Sequence, residues 1–274
     1  MDEKRYLIKF YYIGTEKFYG SQRQKNLQTV ENCLIKALKR RKYIETVKSS
    51  GIEFASRTDR FVSARGAAFS FISNKKPILM EINSCLPKEI GLWAYSEVSK
   101  DFRSRFNAIL RHYRYITLKP EDIDLGMVHK ACEELKGNHD FINFSKREKI
   151  EVKTSRDLDY VGFKLLHFDE VLIFDFKSKG FLRQQIRRMV KKILELGMHQ
   201  IEFEDFMRLF DRSNIISYQP ADPTGLILWD IKFEDNIQYK IDKKSKERME
   251  SYFIEQEFNL GLRHKLFKVL LEEE

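Results

Sequence analysis

Cysteine, histidine and proline are scarce in this 274-residue chain, and long apolar runs are missing. The three cysteines, Cys33, Cys85 and Cys132, lie far apart and form no Cys-x-x-Cys pair, so we interpret them as reduced core residues of a cytoplasmic protein and not as disulfides or zinc ligands. The six histidines are dispersed, and with His139-Asp140 as the one close pair we predict no metal site. No apolar run approaches the roughly 18 residues of a spanning helix, and no signal-peptide core is present, so we expect no membrane segment.

Positive charge is what the composition has in excess. Fifty Lys and Arg residues against 41 Asp and Glu residues give a formal net charge of +9 and a pI near 9.2. This balance favours a polyanionic partner, either nucleic acid or an anionic membrane surface, although a well-solvated Lys-rich surface would give the same numbers. Hydrophobic residues make up 42% and aromatic residues 13%, which is typical of a globular protein with a substantial core.

The predicted elements follow the same order in two halves of the chain. In the first half they are a strand over 6–12, a helix from about Thr29, strands near 44–50 and 67–72, a helix around 78–85 and a strand over 90–98. In the second half they are a strand over 111–118, a helix over 122–136, strands near 158–165 and 171–176, helices over 181–196 and 202–210, and a strand over 225–233. The shared order is β-α-β-β-α-β, which is that of ferredoxin-like folds.

The junction between the halves, near residues 101–107, has no linker rich in Pro, Gly or Ser. We therefore expect an α+β protein in which two ferredoxin-like halves, 1–105 and 106–235, share a continuous, mainly antiparallel sheet flanked by helices. Residues 236–274 form a third part, a charged helical tail with interspersed apolar side chains. We expect this tail to pack on the body or on a second subunit.

One carboxylate is conspicuous in the segment Ala55-Ser56-Arg57-Thr58-Asp59-Arg60. In a basic protein, an acid between two arginines works against binding a polyanion, so the presence of Asp59 at this position calls for an explanation. The structural reason is a turn, in which Asp59 bonds to nearby backbone and the arginines neutralise it. The chemical reason is a carboxylate that neighbouring cations keep ionised as a nucleophile or base. This loop alone favours the turn.

The predicted strand Arg111-His112-Tyr113-Arg114-Tyr115 combines cations with aromatic rings. Alternation places Arg111 and Tyr113 on the same face of the strand. Rings beside guanidinium groups suit stacking on nucleobases and binding of phosphates. A strand whose tyrosines fill the core and whose arginines face water would show the same pattern, and by itself this second interpretation is favoured.

The predicted helix over 181–196 carries a basic stripe beside an apolar face. Arg183, Arg187 and Lys191 are spaced four residues apart and form that stripe. At least one arginine at the boundary of the buried face would need a carboxylate partner, since an unpaired buried charge is costly, and Asp59 is a candidate. A solvated basic face is the alternative.

Six segments, taken in order, resemble the tRNA pseudouridine synthase A family. They are Tyr19-Gly20-Ser21-Gln22-Arg23-Gln24, Arg57-Thr58-Asp59, Asp101-Phe102-Arg103-Ser104-Arg105-Phe106-Asn107-Ala108, Arg111-His112-Tyr113-Arg114-Tyr115, the segment from Phe181 to Val190, and the segment from Pro220 to Leu228. A single Arg-Thr-Asp is a weak signal, whereas six ordered segments with compatible spacing are a strong one. The resemblance extends from residue 6 to about residue 233 and leaves the tail outside.

The resemblance implies the pseudouridine synthase fold and the isomerisation of uridine to pseudouridine in tRNA, at positions 38–40 of the anticodon stem-loop. It implies Asp59 as the nucleophile, Tyr113 as a stacking platform for the target uracil and Arg187 as the partner of Asp59. It also implies a set of residues that bind the RNA: Arg23, Gln24, Arg57, Arg105, Arg111 and Arg183. We expect no cofactor and no metal. The resemblance also implies tRNA as the partner and a homodimer as the assembly.

Some positions depart from the pattern of bacterial members. Arg60-Phe61-Val62-Ser63 stands where they have Ala-Gly-Val-His, and loss of the glycine removes backbone freedom from the loop. Ser21 stands where they have Trp. A non-catalytic tRNA-binding or tRNA-folding protein on the same scaffold is therefore the alternative function. A metal-dependent nuclease is disfavoured, because carboxylates and histidines do not cluster as its ligands would.

Overall fold

The computed structural model describes residues 2–147, 152–166, 170–234 and 236–271. The strands in these ranges are β1 (Lys4–Tyr12), β2 (Glu53–Phe54), β3 (Ser63–Ser73), β4 (Ile90–Val98), β5 (Leu110–Leu118), β6 (Gly137–Asp140), β7 (Ser155–Leu158), β8 (Tyr160–Leu166), β9 (Val171–Ser178), β10 (Leu226–Lys232) and β11 (Lys240–Ile241). The helices are α1 (Val30–Arg40), α2 (Leu79–Asn83), α3 (Leu125–Glu134), α4 (Gln185–Gly197), α5 (Phe203–Arg208) and α6 (Lys243–Leu270), and a short 3-10 helix covers Pro223–Gly225.

One nine-stranded sheet runs through the molecule in the order β11-β4-β1-β3-β10-β5-β9-β8, with β2 also paired to β3. The first half contributes β4-β1-β3-β2 and the second β10-β5-β9-β8, so both halves use the same ferredoxin-like strand order. The predicted fold class, two such halves in one mainly antiparallel sheet, is confirmed. The residue boundaries 1–105 and 106–235 stay a prediction.

The two halves join through the parallel pair β3 and β10, in which Ile227 lies opposite Ser63. The other strand pairs of this sheet are antiparallel. Parallel neighbours begin at the same edge of a sheet. The loop that leads into β3, which contains Asp59, therefore lies beside the loop that leads into β10, although the two strands begin 163 residues apart in the sequence, at Ser63 and Leu226.

Helix ends are set by side-chain caps that the sequence supplies. Thr29 precedes α1, and its hydroxyl oxygen accepts a hydrogen bond from the Asn32 amide at 3.3 Å. Asp124 precedes α3 and accepts from the amides of Gly126 and Met127 at 2.8 and 3.1 Å. These bonds satisfy amides that have no partner inside the helix. The capped helices bury apolar faces, such as that of Leu34 in α1, in one extended core.

The strand predicted near 44–50 is wrong, because this segment forms turns. The Ser50 amide donates to the Thr46 carbonyl at 3.2 Å, and the Ser49 amide donates to the Thr46 hydroxyl at 3.0 Å. Hydroxyl side chains that bond to nearby backbone compete with strand pairing, and the segment also lacks apolar alternation. The second strand of this half is the two-residue β2 instead.

The second half differs from prediction at three places. The strand predicted over 158–165 is two strands, of which β7 pairs with β6 and β8 pairs with β9. The short strand β6 was not predicted, and neither was β11 in the tail. Helix α4 begins at Gln185 and not at residue 181, because Gln184 has a left-handed backbone with φ of 60° and the Gln185 side chain accepts from the Leu182 amide at 2.7 Å. Arg183 therefore lies before the helix and not on its face.

Most of the tail forms one helix, α6, over Lys243–Leu270. Its first third packs on the body: Met249 and Tyr252 are buried, and the Tyr252 ring stacks on Tyr11 with 6.2 Å between centroids. The predicted packing of the tail on the body is confirmed for this part. In the described ranges, no helix combines the length and the apolarity that crossing a bilayer requires.

A buried ion pair also connects the halves. The ammonium group of Lys9, on β1, lies 2.5 Å from Asp230 Oδ1, on β10, and donates to the Ile231 carbonyl as well. The Lys9 side chain is 4% exposed and the Asp230 side chain 38%. Burial lowers the pKa of Lys9, and Asp230 opposes that effect. Desolvation of the cation thus makes the carboxylate essential to the stability of this contact.

We expect Asp230→Ala to lower the free energy of unfolding by about 3 kcal/mol, because it leaves the buried ammonium without a counter-charge. Urea denaturation followed by circular dichroism measures the change. The matched control is Lys9→Met combined with Asp230→Ala, which removes the stranded charge and should recover part of the loss. Equal destabilisation of the single and double variants would contradict this role for the pair.

Candidate active site

The Asp59 loop, residues 55–62, connects β2 to β3 and opens into a large cleft. The Asp59 side chain is 33% exposed, so its carboxylate is accessible from the cleft. The structure supports both interpretations of Asp59, as a turn residue and as an accessible carboxylate. The Val62 amide donates to the Asp59 carbonyl at 3.4 Å, which makes Asp59 the first residue of a turn. The carboxylate itself is engaged elsewhere.

The Asp59 carboxylate pairs with Arg187 of α4. Arg187 Nη1 donates to Asp59 Oδ2 at 3.0 Å, and the arginine side chain is only 10% exposed. A second bond fixes the guanidinium, since Arg187 Nε donates to the Ala221 carbonyl at 2.7 Å, and the Ala221 amide donates back to the Arg187 carbonyl at 3.0 Å. The predicted contact between Asp59 and Arg187 is therefore present. A charge-assisted bond from a fixed donor aims the carboxylate.

Hydroxyl groups hold Thr58, the residue before Asp59. The Tyr12 hydroxyl lies 2.7 Å from Thr58 Oγ1, and the Thr58 amide donates to the Ser21 hydroxyl at 2.7 Å. The Ser21 amide in turn donates to the Thr58 carbonyl at 3.2 Å. Burial raises the pKa of Tyr12 well above its ordinary value, so its hydroxyl stays protonated. Ser21, the departure from the bacterial Trp, thus anchors the loop from the opposite strand-to-helix connection.

The turn after Asp59 has a left-handed residue, Phe61, with φ of 67°. A turn with positive φ at its third residue favours glycine, and a residue with a Cβ pays about 1–2 kcal/mol there. Two glycines allow the close approach of neighbouring backbone. A Cβ on Gly14 would lie 2.2 Å from the Phe61 carbonyl group, and one on Gly20 would lie 3.1 Å from the Thr58 carbonyl. The expected loss of freedom at Phe61 therefore appears as a strained conformation.

Tyr113 of β5 lines the cleft close to the loop. Its hydroxyl lies 2.7 Å from the Ser56 hydroxyl, and its ring meets Phe181 edge to face with 5.4 Å between centroids. The side chain is 6% exposed, and burial raises its pKa. The contacts with Ser56 and Phe181 fix the plane of an aromatic ring beside Asp59, which is what a stacking platform requires.

The cleft has a volume of about 1530 Å³ and a strongly positive lining. Ten cationic side chains line it: Arg23, Arg57, Arg60, Arg105, Arg111, Lys153, Arg156, Lys179, Arg183 and Arg187. Four carboxylates line it: Glu31, Glu53, Asp59 and Asp157. A concave surface with excess positive charge attracts a polyanion and focuses its approach. Among the described residues, no three His, Cys, Asp or Glu side chains are grouped closely enough to hold a metal ion.

All six residues predicted to bind RNA line this cleft. Arg57, Arg105 and Arg183 are exposed. Arg23 is exposed too, and its amide donates to buried Glu31 at 3.0 Å. Burial raises the pKa of Glu31, and the nearby arginines oppose that shift.

The other two predicted binding residues have their polar groups engaged with the protein. The Gln24 side chain donates to the Tyr19 carbonyl at 2.7 Å. Arg111 is 9% exposed, and its guanidinium donates to the carbonyls of Ala55 at 2.7 Å and Arg105 at 2.9 Å and to that of Lys179. Burial lowers the pKa of Arg111. Its geometry suits holding the start of the Asp59 loop against the second half.

Several site residues were not found from the sequence. Tyr12 reaches Thr58, Ser56 reaches Tyr113 and Ala221 reaches Arg187 only through the fold. Lys153 and Arg156 enter the cleft with β7, whose pairing with β6 was not predicted. For Ala221 a signal existed, because it lies in the Pro220–Leu228 segment that carried part of the resemblance.

Known proteins resemble this chain along most of its length. The family model described as tRNA pseudouridine synthase matches residues 131–234. The chain is 35% identical to tRNA pseudouridine synthase A of Methanosarcina acetivorans over 273 residues, 98% of each chain. It is 32% identical to the enzyme of that name from Methanothermobacter thermautotrophicus over 258 residues, 94% of this chain and 91% of the relative. It is 34% identical to that of Thermococcus sibiricus over 254 residues, 92% of each.

Among solved structures, an unknown protein from Galdieria sulphuraria matches 65% of this chain and 81% of its own, with a TM-score of 0.21 and 12% identity, and this likeness carries no argument. The sequence relatives support the family assignment. Each exceeds 30% identity over more than nine-tenths of the chain. The family resemblance of the six segments is confirmed, and the chain belongs to the tRNA pseudouridine synthase A family, a family of isomerases.

Proposed function

We propose that this protein isomerises uridine to pseudouridine in tRNA, with Asp59 as the nucleophile. The observation that carries the proposal is the contact between Asp59 and Arg187 in the cationic cleft. A carboxylate is unfavourable in a site for a polyanion unless it has a task there. A buried arginine held by Ala221 gives Asp59 a fixed direction, and the exposed third of its side chain leaves it accessible.

The reaction needs a nucleophile and no imported group. The N1–C1′ bond of uridine breaks, the uracil rotates, and a C5–C1′ bond forms. The proton on C5 leaves to solvent, and N1 takes up a proton, so atoms and electrons balance without an oxidant. Asp59 adds either to C1′ of the ribose or to C6 of the ring and is released at the end of the cycle.

Tyr113 and Arg187 complete the proposed catalytic group. The target base must leave its stack to reach Asp59, and the Tyr113 ring, fixed by Ser56 and Phe181, offsets part of that cost by stacking on the uracil. Arg187 aims the Asp59 oxygen through a charge-assisted hydrogen bond. Both side chains are almost fully buried, so they act from fixed positions.

The cationic lining supports the proposed grip on the RNA backbone. Arg57, Arg105 and Arg183 are exposed in the cleft and suit phosphate contacts, with Arg23 beside them. Arg111 and Gln24 support the site by holding its loops. A non-catalytic tRNA-binding protein would need the same cations. It would not need a carboxylate aimed by a buried arginine, which is why the catalytic proposal is preferred.

We expect Asp59→Ala to abolish pseudouridine formation, with a loss of at least about 10³-fold, because the nucleophile is removed. Release of tritium from tRNA labelled at C5 of uridine measures the reaction. The matched control is Asp122→Ala, which removes an exposed aspartate from outside the cleft and should keep wild-type activity. Equal tritium release by Asp59→Ala and wild type would overturn the proposal.

We also propose that the modified uridines lie at positions 38–40 of the anticodon stem-loop, as the family resemblance implies. Mapping pseudouridines in tRNA from cells with and without the gene tests this choice. We expect only sites at 38–40 to disappear when the gene is absent. Loss of pseudouridine at other positions would reject the proposed target and leave the chemistry at Asp59 intact.

We propose a homodimer, and the distal part of α6 supports it. Five apolar residues spaced four apart, Ile254, Phe258, Leu262, Leu266 and Leu270, are 53–71% exposed. They form a stripe beyond the part of α6 that packs on the body. Exposed apolar patches of this kind mark interaction surfaces.

A second copy of α6 complements this stripe in charge as well as in apolar surface. Glu255 and Glu257 lie near its beginning, and Arg263, Lys265 and Lys268 lie nearer its end. Antiparallel pairing of two α6 helices about a two-fold axis therefore places acids of one copy opposite bases of the other.

We expect a mass in solution of twice the 32.8 kDa of one chain, measured by light scattering after size exclusion. Leu262→Lys should shift the protein to the mass of a single chain, because it places a charge in the apolar stripe. His264→Lys is the control, since a residue two positions along a helix lies on nearly the opposite side. A wild-type monomer, or a dimer that survives Leu262→Lys, would contradict the proposal.

A further inference from the structure

Arg60, the residue after Asp59, is held between two aromatic rings. Its guanidinium carbon lies 4.4 Å from the centre of the Tyr19 ring and 4.7 Å from the centre of the Phe61 ring. Tyr19 comes from the loop before α1, and Phe61 is the left-handed residue of the turn that begins at Asp59. We call this three-residue arrangement the arginine clamp. Contacts of this type attract a cation to the faces of the rings.

The clamp restrains a side chain that otherwise has few partners. The Arg60 guanidinium donates one long hydrogen bond, at 3.4 Å, to the Glu16 carbonyl. Within the described ranges, Arg60 forms no ion pair. A guanidinium has five N–H donors, and the hydrogen bond to Glu16 uses one of them. Arg60 is exposed and lines the cleft beside Asp59, so the available donors face the space that the RNA would occupy.

The strained backbone of Phe61 gives a second, independent reason to assign a role to the clamp. A glycine would adopt φ of 67° without strain, whereas Phe61 adopts it with a Cβ. Strain of this kind persists where the surroundings enforce it, and it concentrates at functional sites. The Phe61 side chain contributes one thing that glycine could not, which is the ring on one face of Arg60.

We propose that the arginine clamp holds Arg60 ready to bind a phosphate of the RNA strand next to the target uridine. This inference rests on the proposed function, since it assumes that RNA enters the cleft. A planar guanidinium suits bidentate phosphate contacts, and its prior immobilisation lowers the entropy lost on binding. Arg60 is thus a substrate-positioning residue, and Phe61 and Tyr19 act through it.

The test measures affinity for an unmodified tRNA transcript in the Asp59→Ala background, where no turnover occurs. We expect Arg60→Ala to weaken binding about tenfold, as loss of a charge-assisted contact should. The slope of log affinity against log salt concentration should also fall in magnitude by about 0.7–0.9, which corresponds to one phosphate contact. A purely structural role for Arg60 would leave this slope unchanged, and an unchanged slope would overturn the proposal.

Phe61→Gly tests the clamp without removing the charge. It should raise the melting temperature, because the strain is relieved, and it should still weaken RNA binding, because Arg60 loses one ring. Adding Phe61→Gly to Arg60→Ala should weaken binding no further, which shows that Phe61 acts through Arg60. Wild-type affinity in Phe61→Gly would overturn the clamp.

Arg40→Ala is the matched control for the loss of one arginine. Arg40 is exposed at the end of α1, outside the cleft, and its loss should leave the salt slope unchanged. The binding measurement and the assay of pseudouridine formation test the two proposals separately. A protein that binds tRNA through Arg60 and forms no pseudouridine would reject the proposed function alone. A protein that forms pseudouridine with an unchanged salt slope in Arg60→Ala would reject the clamp alone.

Discussion

The ion pair between Asp59 and Arg187 depends on the way the two halves of the sheet join. Asp59 lies in the loop before β3, and Ala221, which holds the Arg187 guanidinium, lies in the loop before β10. Since β3 and β10 are parallel neighbours, the loops that lead into them lie at the same edge of the sheet. A different junction would separate the carboxylate from its cation, and the cationic cleft would then contain an acid with no fixed direction.

The same junction explains why burial of charge is tolerated here. Arg187 is nearly buried, and an isolated cation at that position would be costly. The Ala221 carbonyl and the Asp59 carboxylate together satisfy it. Lys9 and Asp230 form a second such pair across β3, the strand between β1 and β10, with a buried cation from the first half and a carboxylate from the second. Paired charges thus link the halves in addition to the backbone hydrogen bonds of the sheet.

Sequence patterns predicted the fold well where periodicity was strong and the site well where a motif carried it. The strand over 90–98 and the pairing of Asp59 with Arg187 were both predicted. The segment 44–50 was not, because the hydroxyls of Thr46 and Ser49 bond locally and compete with a strand. The network around Thr58 was also beyond the sequence, since Tyr12 and Ser21 lie 46 and 37 residues away and their hydroxyl bonds exist only in the folded chain.

Phe61 shows that this loop takes its shape from its surroundings more than from its own residues. Loss of glycine predicted a loop with less freedom, yet the backbone still adopts the left-handed conformation that glycine favours. Val62 is buried, and the Gly14 amide donates to the Ser63 hydroxyl at 3.0 Å, so the chain after the turn is fixed. Thr58 is fixed before it. With both ends held, the turn keeps the left-handed conformation at position 61, and Phe61 adds strain there together with a ring beside Arg60.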